Sequence, residues 1–440
     1  MSLWGNRVDC YEVARSMVAA LAAPRLNAPH WQQLENGLII IAERLPVPAV
    51  TFDLWVKVGS AVEPDAVNGV AHFLEHMVFK GSQRLKAGEF EQQVEARGAI
   101  ANAATSQDYT HFYFTCAPSD FTDLVSLQTD VVLNPLLAEA EFERERRVVL
   151  EEIRRAADNP RRRAYYRMIE AAFERLPYRR PVLGPYDTIA QLPLTDLQAF
   201  HRQWYGPNQL VAVVVGDLPE AEMIDAVRAA VADHPPVTAQ RSPLLPEPAF
   251  SQPQQQIYHD ADLHQARLYL TWRVPGLSQL SRTYALDAIA SILASGRTSR
   301  LVAQLREQQG LVSNIVASNS TYRDQGLFAI TARLPVAHLD TVRSQVLAEL
   351  QSLQTEPVTP AELERIRRQV VNRFIFGNER PSDRASLYGY YATLLGSLEP
   401  AFNYVDEIHA LSVDDLQAAV QTYLAPEACS TIQILPGEHG

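Results

Sequence analysis

"LTDLQAFHRQWYGPNQLVAVVVGD", residues 194–217, decides the fold, because the chain repeats its pattern near the end as "VDDLQAAVQTYLAPEACSTIQILPG", residues 413–437. In both, Asp-Leu-Gln-Ala opens a helix-forming run. A proline follows ten residues after the leucine (Leu197 to Pro207, Leu416 to Pro426), and a strand-forming run comes next. A second echo precedes each: "EFERERRVV" at 141–149 and "ELERIRRQV" at 362–370. Two matches in the same order predict a duplicated domain of about 200 residues, larger than a solenoid repeat.

Between the copies the text becomes "HPPVTAQRSPLLPEPAFSQ", residues 234–252. Proline at that density continues neither a helix nor a central strand, so an extended linker is predicted over 235–253. It separates a first domain, 1–234, from a second, 254–440. Within the first, "LIIIAER" and "AVTFDLWVKVGS" read as strands and "NGVAHFLEHMVF" as a helix. "IANAATSQDYTHFYFTCA" alternates like one long strand, helices run from about 120 to 175, and "QLVAVVVGD" closes with a strand. Strands in sequential runs followed by helices predict an α+β fold of two homologous domains, each a mostly antiparallel sheet with helices packed on one face.

Composition narrows the function. The chain has 440 residues, 47% hydrophobic and 20% charged, with a net charge of -12. No basic surface is on hand for a phosphate backbone, which argues against nucleic-acid binding. No apolar run approaches the roughly 18 residues that cross a membrane. "MVAALAAP" at 17–24 faintly resembles a signal h-region, but Asp9 and Glu12 precede it. A cytoplasmic protein is expected, with the periplasm as the other compartment considered. Cys10, Cys116 and Cys429 are far apart and odd in number, so they read as buried thiols.

The chemistry-bearing text is "AHFLEHMVFKGS", residues 71–82. On a helix, His72 and His76 lie one turn apart on the same face, so both imidazoles can reach one ion. Glu75 sits beside them, close enough to touch a metal-bound water without being a ligand. That is the inverted form of the HExxH arrangement, and it suits zinc hydrolysis. A catalytic zinc needs a third protein ligand and an open position. In "EFERERRVVLEEIRRAADNP", Glu145 and Glu152 are seven apart and share a face with Val148 and Val149 between them. Carboxylates on an apolar stripe are costly to bury unless a cation meets them. Glu151 points about 100° away and belongs with the arginines on the solvated face. The second copy acts as an internal control: Ile366 stands opposite Glu145, Arg373 stands opposite Glu152, and no HxxEH occurs after residue 77.

In these motifs and their order the chain resembles the pitrilysin/insulinase-type zinc metallopeptidases, in particular the half-size branch that includes the mitochondrial processing peptidase β subunit and its bacterial relatives. The resemblance runs from "LENGLIII" to "ILPGE". It implies that His72, His76 and Glu152 bind one zinc, that Glu75 is the base, and that Glu145 is an acid supporting a ligand. It also implies that Ala101, Asn102 and Ala103 lie on an edge strand that pairs with an extended peptide, and that the two domains form half of a clamshell. Complete members carry an Arg and a Tyr seven apart in text like "LRExxGLxY". Here "LREQQGLVS" keeps Arg306 but has Ser313 where the Tyr would be, and Tyr322 is out of register. A zinc endopeptidase or oligopeptidase subunit is therefore expected, completed by a homologous half-size chain that supplies the Arg/Tyr pair. The alternative is a non-catalytic structural or assembly subunit.

Overall fold

The structure, a computed structural model, describes residues 26–437. The 17–24 segment and Cys10 lie outside the described residues, while Cys116 and Cys429 are buried, unpaired thiols. Six strands form the first sheet: β1 (His30–Gln33), β2 (Ile39–Arg44), β3 (Val50–Val56), β4 (Ile100–Thr105), β5 (Thr110–Cys116) and β6 (Leu210–Gly216), in the order β1-β2-β6-β3-β5-β4. The second sheet contains β7 (Gln254–Asp260), β8 (Ala266–Pro275), β9 (Asn314–Thr321), β10 (Gln325–Leu334) and β11 (Ser430–Pro436), in the order β7-β11-β8-β10-β9. Without β1, the two orders are the same. Each sheet has one parallel pair, β2 with β6 and β7 with β11, and all its other pairs are antiparallel.

The segment 100–117, expected as one strand, is a hairpin. Ser106 N–H donates to Tyr109 O at 2.8 Å and closes a tight turn over Gln107 and Asp108. Asp108 is buried there because it accepts from Arg241 (2.7 Å), the Tyr178 hydroxyl (3.2 Å) and the backbone N–H of Arg323 (2.9 Å). Those partners come from distant parts of the chain, and an unbroken alternation gave no hint of them.

Helices cover one face of each sheet. On the first, α1 (Val70–Val78), α2 (Glu89–Ala96), α3 (Phe121–Leu133), α4 (Glu139–Asp158), α5 (Leu194–Trp204) and α6 (Glu220–Val231) bury their apolar sides against residues such as Ile40, Phe52, Phe114 and Val214. The other face of each sheet is covered by a helix from the other half. Pro381–Leu395 lays Ala385, Tyr388 and Ala392 on Ile41, Trp55 and Val213 of the first sheet. Pro160–Ala172 lays Ala164, Met168 and Ile169 on Tyr269, Leu327 and Ile434 of the second. The exchange explains why "LVAVVV" is continuously apolar: β6 is buried on both sides, and each fully buried valine contributes on the order of 1.5–3 kcal/mol. Gly389 is required by this contact, since a Cβ there would run into the Trp55 ring.

Residues 235–253 form neither helix nor strand, yet they are held in place. Arg241 pairs with Asp108 and Asp324 (2.6 Å), and the buried Glu247 pairs with Arg273 (2.8 Å) while accepting the N–H groups of Glu174, Arg175 and Leu176. Among the described residues no helix is long and apolar enough to cross a membrane.

Candidate active site

Helix α1 is set by its N-terminus. Gly69 adopts φ 99°, and a Cβ there would collide with the Leu183 carbonyl at 2.7 Å. The buried Glu63 carboxylate accepts from Gly69 N–H and Ala71 N–H, both at 2.8 Å, and from the Asn68 amide at 2.7 Å, so it satisfies donors that a helix start leaves unpaired. Val70, Phe73, Leu74 and Met77 then enter the core, with Phe73 stacked on Phe142 of α4 at 4.8 Å. The opposite side presents His72, Glu75 and His76.

Two turns of α4 meet that side. Glu152 Oε2 lies 3.6 Å from His72 Nε2 and 3.6 Å from His76 Nε2. One ligand atom from each residue falls within 4.8 Å of the others. A tetrahedral zinc with Zn–N near 2.0–2.1 Å separates its ligand atoms by roughly 3.3–3.4 Å, so these three side chains fit such an ion with small adjustment. Glu145, on the same helical face two turns earlier, accepts from His76 Nδ1 at 2.9 Å and pairs with Lys80 at 3.1 Å. It fixes the ring so that Nε2 faces Glu152. Glu151 instead pairs with Arg154 and Arg155 on the solvated face. Val149 is buried on the α4 stripe, but Val148, expected there too, is 48% exposed.

The electrostatics of the cluster follow from burial and from the charges its members set on one another. Burial and the neighbouring His76 push the pKa of His72 down to about 4, which keeps it neutral as a ligand must be. Burial opposes charge on His76 as well, but the carboxylates of Glu145 and Glu152 outweigh it and push its pKa up to about 9. His76 holds Glu152 below the ordinary carboxylate range. Burial raises Glu75 in spite of a hydrogen bond from the Thr105 hydroxyl.

Ala101, Asn102 and Ala103 lie on β4, which has β5 on one side and, among the described residues, a free edge on the other. The Ser106–Tyr109 bond fixes which groups face that edge. Counting back by twos, Ala104, Asn102 and Ile100 bond inward to β5, whereas Ala101, Ala103 and Thr105 turn N–H and C=O outward. Ala103 N–H is capped by the Asn102 side chain at 2.9 Å. The edge donors are thus those of Ala101 and Ala103, and Asn102 serves the edge through its amide alone. Two cavities flank Glu75 along β4. One of about 480 Å³ is lined by His76, Phe79, Phe90, Val94 and Ile100–Ala103. The other, about 540 Å³, is lined by His72, Glu152, Ala103–Thr105 and side chains of the helix Pro160–Ala172.

Arg306 lies elsewhere, on the helix Val302–Gln308, where it pairs with Glu307 at 2.7 Å and lines neither cavity. The Ser313 hydroxyl donates to Gln265 at 2.8 Å within the second half. Tyr322 is half-buried and stacked on Tyr178, ring centroids 4.5 Å apart. Sequence reading missed Glu63, Lys80 and Thr105. Lys80 alone had a local signal, four residues after His76; the others reach the site only through the fold.

Residues 38–186 match the family model described as Insulinase (Peptidase family M16), and residues 191–370 match the one described as Peptidase M16 inactive domain. The chain is similar to Zinc protease PqqE of Helicobacter pylori, 28% identical over 92% of both chains. It is also similar to an uncharacterized zinc protease of Mycobacterium leprae, 30% identical over 89% of this chain and 88% of the relative. Among solved structures, a protease from Helicobacter pylori superposes with a TM-score of 0.87 at 28% identity, covering 93% of this chain and 99% of the other. The periplasmic protease PqqL from Escherichia coli shares the fold at a TM-score of 0.79 and 20% identity; the match spans 94% of this chain but 48% of PqqL. With both family models matched in order and relatives named as zinc proteases aligned over nearly their full lengths, the chain belongs to the insulinase family of peptidases, family M16.

Proposed function

We propose that the chain is a zinc-dependent endopeptidase or oligopeptidase subunit that hydrolyses extended peptides. The observation that carries this reading is the convergence of His72, His76 and Glu152 at 3.6 Å with Glu75 beside them, next to the free edge of β4. His72, His76 and Glu152 hold the ion, and Glu145 orients His76. When bound, zinc supplies Lewis acidity toward a water and a scissile carbonyl. Glu75 takes a proton from the attacking water and returns it to the leaving amine, a role its raised pKa suits. The outward N–H and C=O groups of Ala101 and Ala103 pair with the peptide backbone and lay it past Glu75.

The tetrahedral oxyanion needs donors beyond the metal. Arg306 is engaged with Glu307, and Ser313 is bonded within its own half. We therefore assign the missing Arg/Tyr pair to a homologous half-size partner that closes the chamber. The match to one half of the longer PqqL chain supports such pairing. That protein is named periplasmic, which favours the periplasm over the cytoplasm expected from sequence.

The test is hydrolysis of a quenched peptide by the zinc-loaded chain, alone and with the product of a related half-size gene. Feeble cleavage alone and a 10²- to 10³-fold gain on pairing is the expected result. Full activity of the single chain would remove the partner. Zinc binding with no hydrolysis in any pairing would mark a non-catalytic assembly subunit.

A further inference from the structure

We propose that Arg161 and Arg162 form a subsite that selects an acidic side chain of the peptide beside the scissile bond. This rests on the peptide-binding reading above and adds a specificity to it.

The helix Pro160–Ala172 has two duties. Its apolar side packs on the second sheet through Ala164, Met168 and Ile169. Its other side turns Arg161, Arg162, Tyr165 and Tyr166 into the 540 Å³ cavity that also exposes His72 and Glu152. Arg163, next in sequence, is neutralised by Asp260 (2.6 Å) and Asp262 (2.8 Å). Arg180, on the same cavity, is paired with Asp65 at 2.6 Å, a carboxylate it shares with Arg179. Arg161 and Arg162 have no carboxylate within 4.0 Å among the described residues. Arg162 lies beside the Tyr166 hydroxyl, on the cavity wall that His72 and Glu152 share.

Stability does not account for these two cations. They occupy the first turn of a helix, where the peptide dipoles already present positive charge and a cation is disfavoured. The chain as a whole has 51 acids against 39 bases, so a basic residue has many possible partners, and these two have none within ion-pair distance among the described residues. An incoming carboxylate relieves both the mutual repulsion and the clash with the dipole. The guanidinium fork matches a carboxylate with two parallel hydrogen bonds. The cavity on the other side of Glu75 has a different character, with Phe79, Phe90 and Val94 rimmed by Glu91 and Glu95. The preference for an acid is therefore confined to one side of the scissile bond.

The experiment uses zinc-loaded Glu75→Gln protein, which binds peptides without cutting them. Labelled peptides carry Glu, Gln or Lys at one position at a time, three residues to either side of the centre, and binding is followed by fluorescence anisotropy. One position on one side should prefer Glu over Gln by about tenfold, disfavour Lys, and lose the preference as salt rises. Arg161→Gln with Arg162→Gln should erase the preference. Arg162→Glu should turn it toward Lys, and Arg155→Gln on the solvated face of α4 should leave it intact. Absence of peptide binding, no position favouring Glu, or a preference that survives the double substitution would each overturn the subsite. A Glu preference that behaves as described, with no cleavage by the Glu75 parent, would uphold the subsite and overturn the peptidase reading instead.

Discussion

The helices α4 and Pro360–Phe376 hold equivalent places on two sheets of the same strand order, yet they are built for different ends. In Pro360–Phe376 a fully buried Ile366 fills the position that Glu145 takes in α4, and its start carries a complete capping box between Thr359 and Glu362. In α4 the cap position is Ala138, with no side-chain bond, and Glu145 is buried at a cost only partners can offset. The later pair repeats the contrast: Val413–Tyr423 has a Ser412/Asp415 capping box, whereas α5 begins after Pro193 with no side-chain cap. At these two pairs the half without the candidate site has the better helix caps, and at position 366 an apolar residue where the other half buries a carboxylate. The half with it relies on tertiary contacts to hold polar groups where hydrophobic burial alone would not put them.

The largest test of this contrast is Glu75→Gln. Peptide hydrolysis should fall by about 10²- to 10⁴-fold while about one zinc per chain remains, since Glu75 is not among the converging ligands. Activity kept within tenfold would remove Glu75 as the base.

Next comes the metal itself. His72→Ala, His76→Ala and Glu152→Gln should each strip zinc in elemental analysis, and Glu151→Gln should keep it. The reverse outcome for the two adjacent glutamates would break the assignment of the α4 face.

Between the halves, Arg384 and the Tyr388 hydroxyl (2.9 Å) hold the buried Glu43 of β2. Arg384→Met should lower unfolding free energy by about 3–5 kcal/mol because it strands that carboxylate. A loss under about 1 kcal/mol in urea titration would show that the exchanged helix Pro381–Leu395 is not locked by this pair.

At the edge strand, Ala103→Pro should weaken peptide binding about two- to tenfold by deleting one outward donor. Asn102→Pro should act on stability instead, because its N–H belongs to the β4–β5 ladder. Equal effects on affinity would contradict the register argument.

The smallest effect is a transplant of capping. Thr359→Ala should cost about 1 kcal/mol, and Ala138→Ser, with Glu141 already at the third helical position, should add about 0.5–1 kcal/mol without changing zinc content. No gain at Ala138 would mean that α4 is limited by the site it carries and not by its cap.

The sequence by itself determined the duplication, the fold class and the side chains that converge. Local periodicity fixes which residues share a helix face, so His72, Glu75 and His76, or Glu145 and Glu152, can be grouped from spacing alone. It could not show the turn at Asp108, the cap by Glu63, the exchange of helices between the sheets or that Arg161 and Arg162 lack a carboxylate partner among the described residues. Each depends on contacts between residues about six to 340 positions apart, as with Glu63 and Gly69 or Glu43 and Arg384. Such contacts have no period to read. Only closure of the chain around two sheets decided them, because burial, not spacing, sets which charges must find a partner and which are left to meet a ligand.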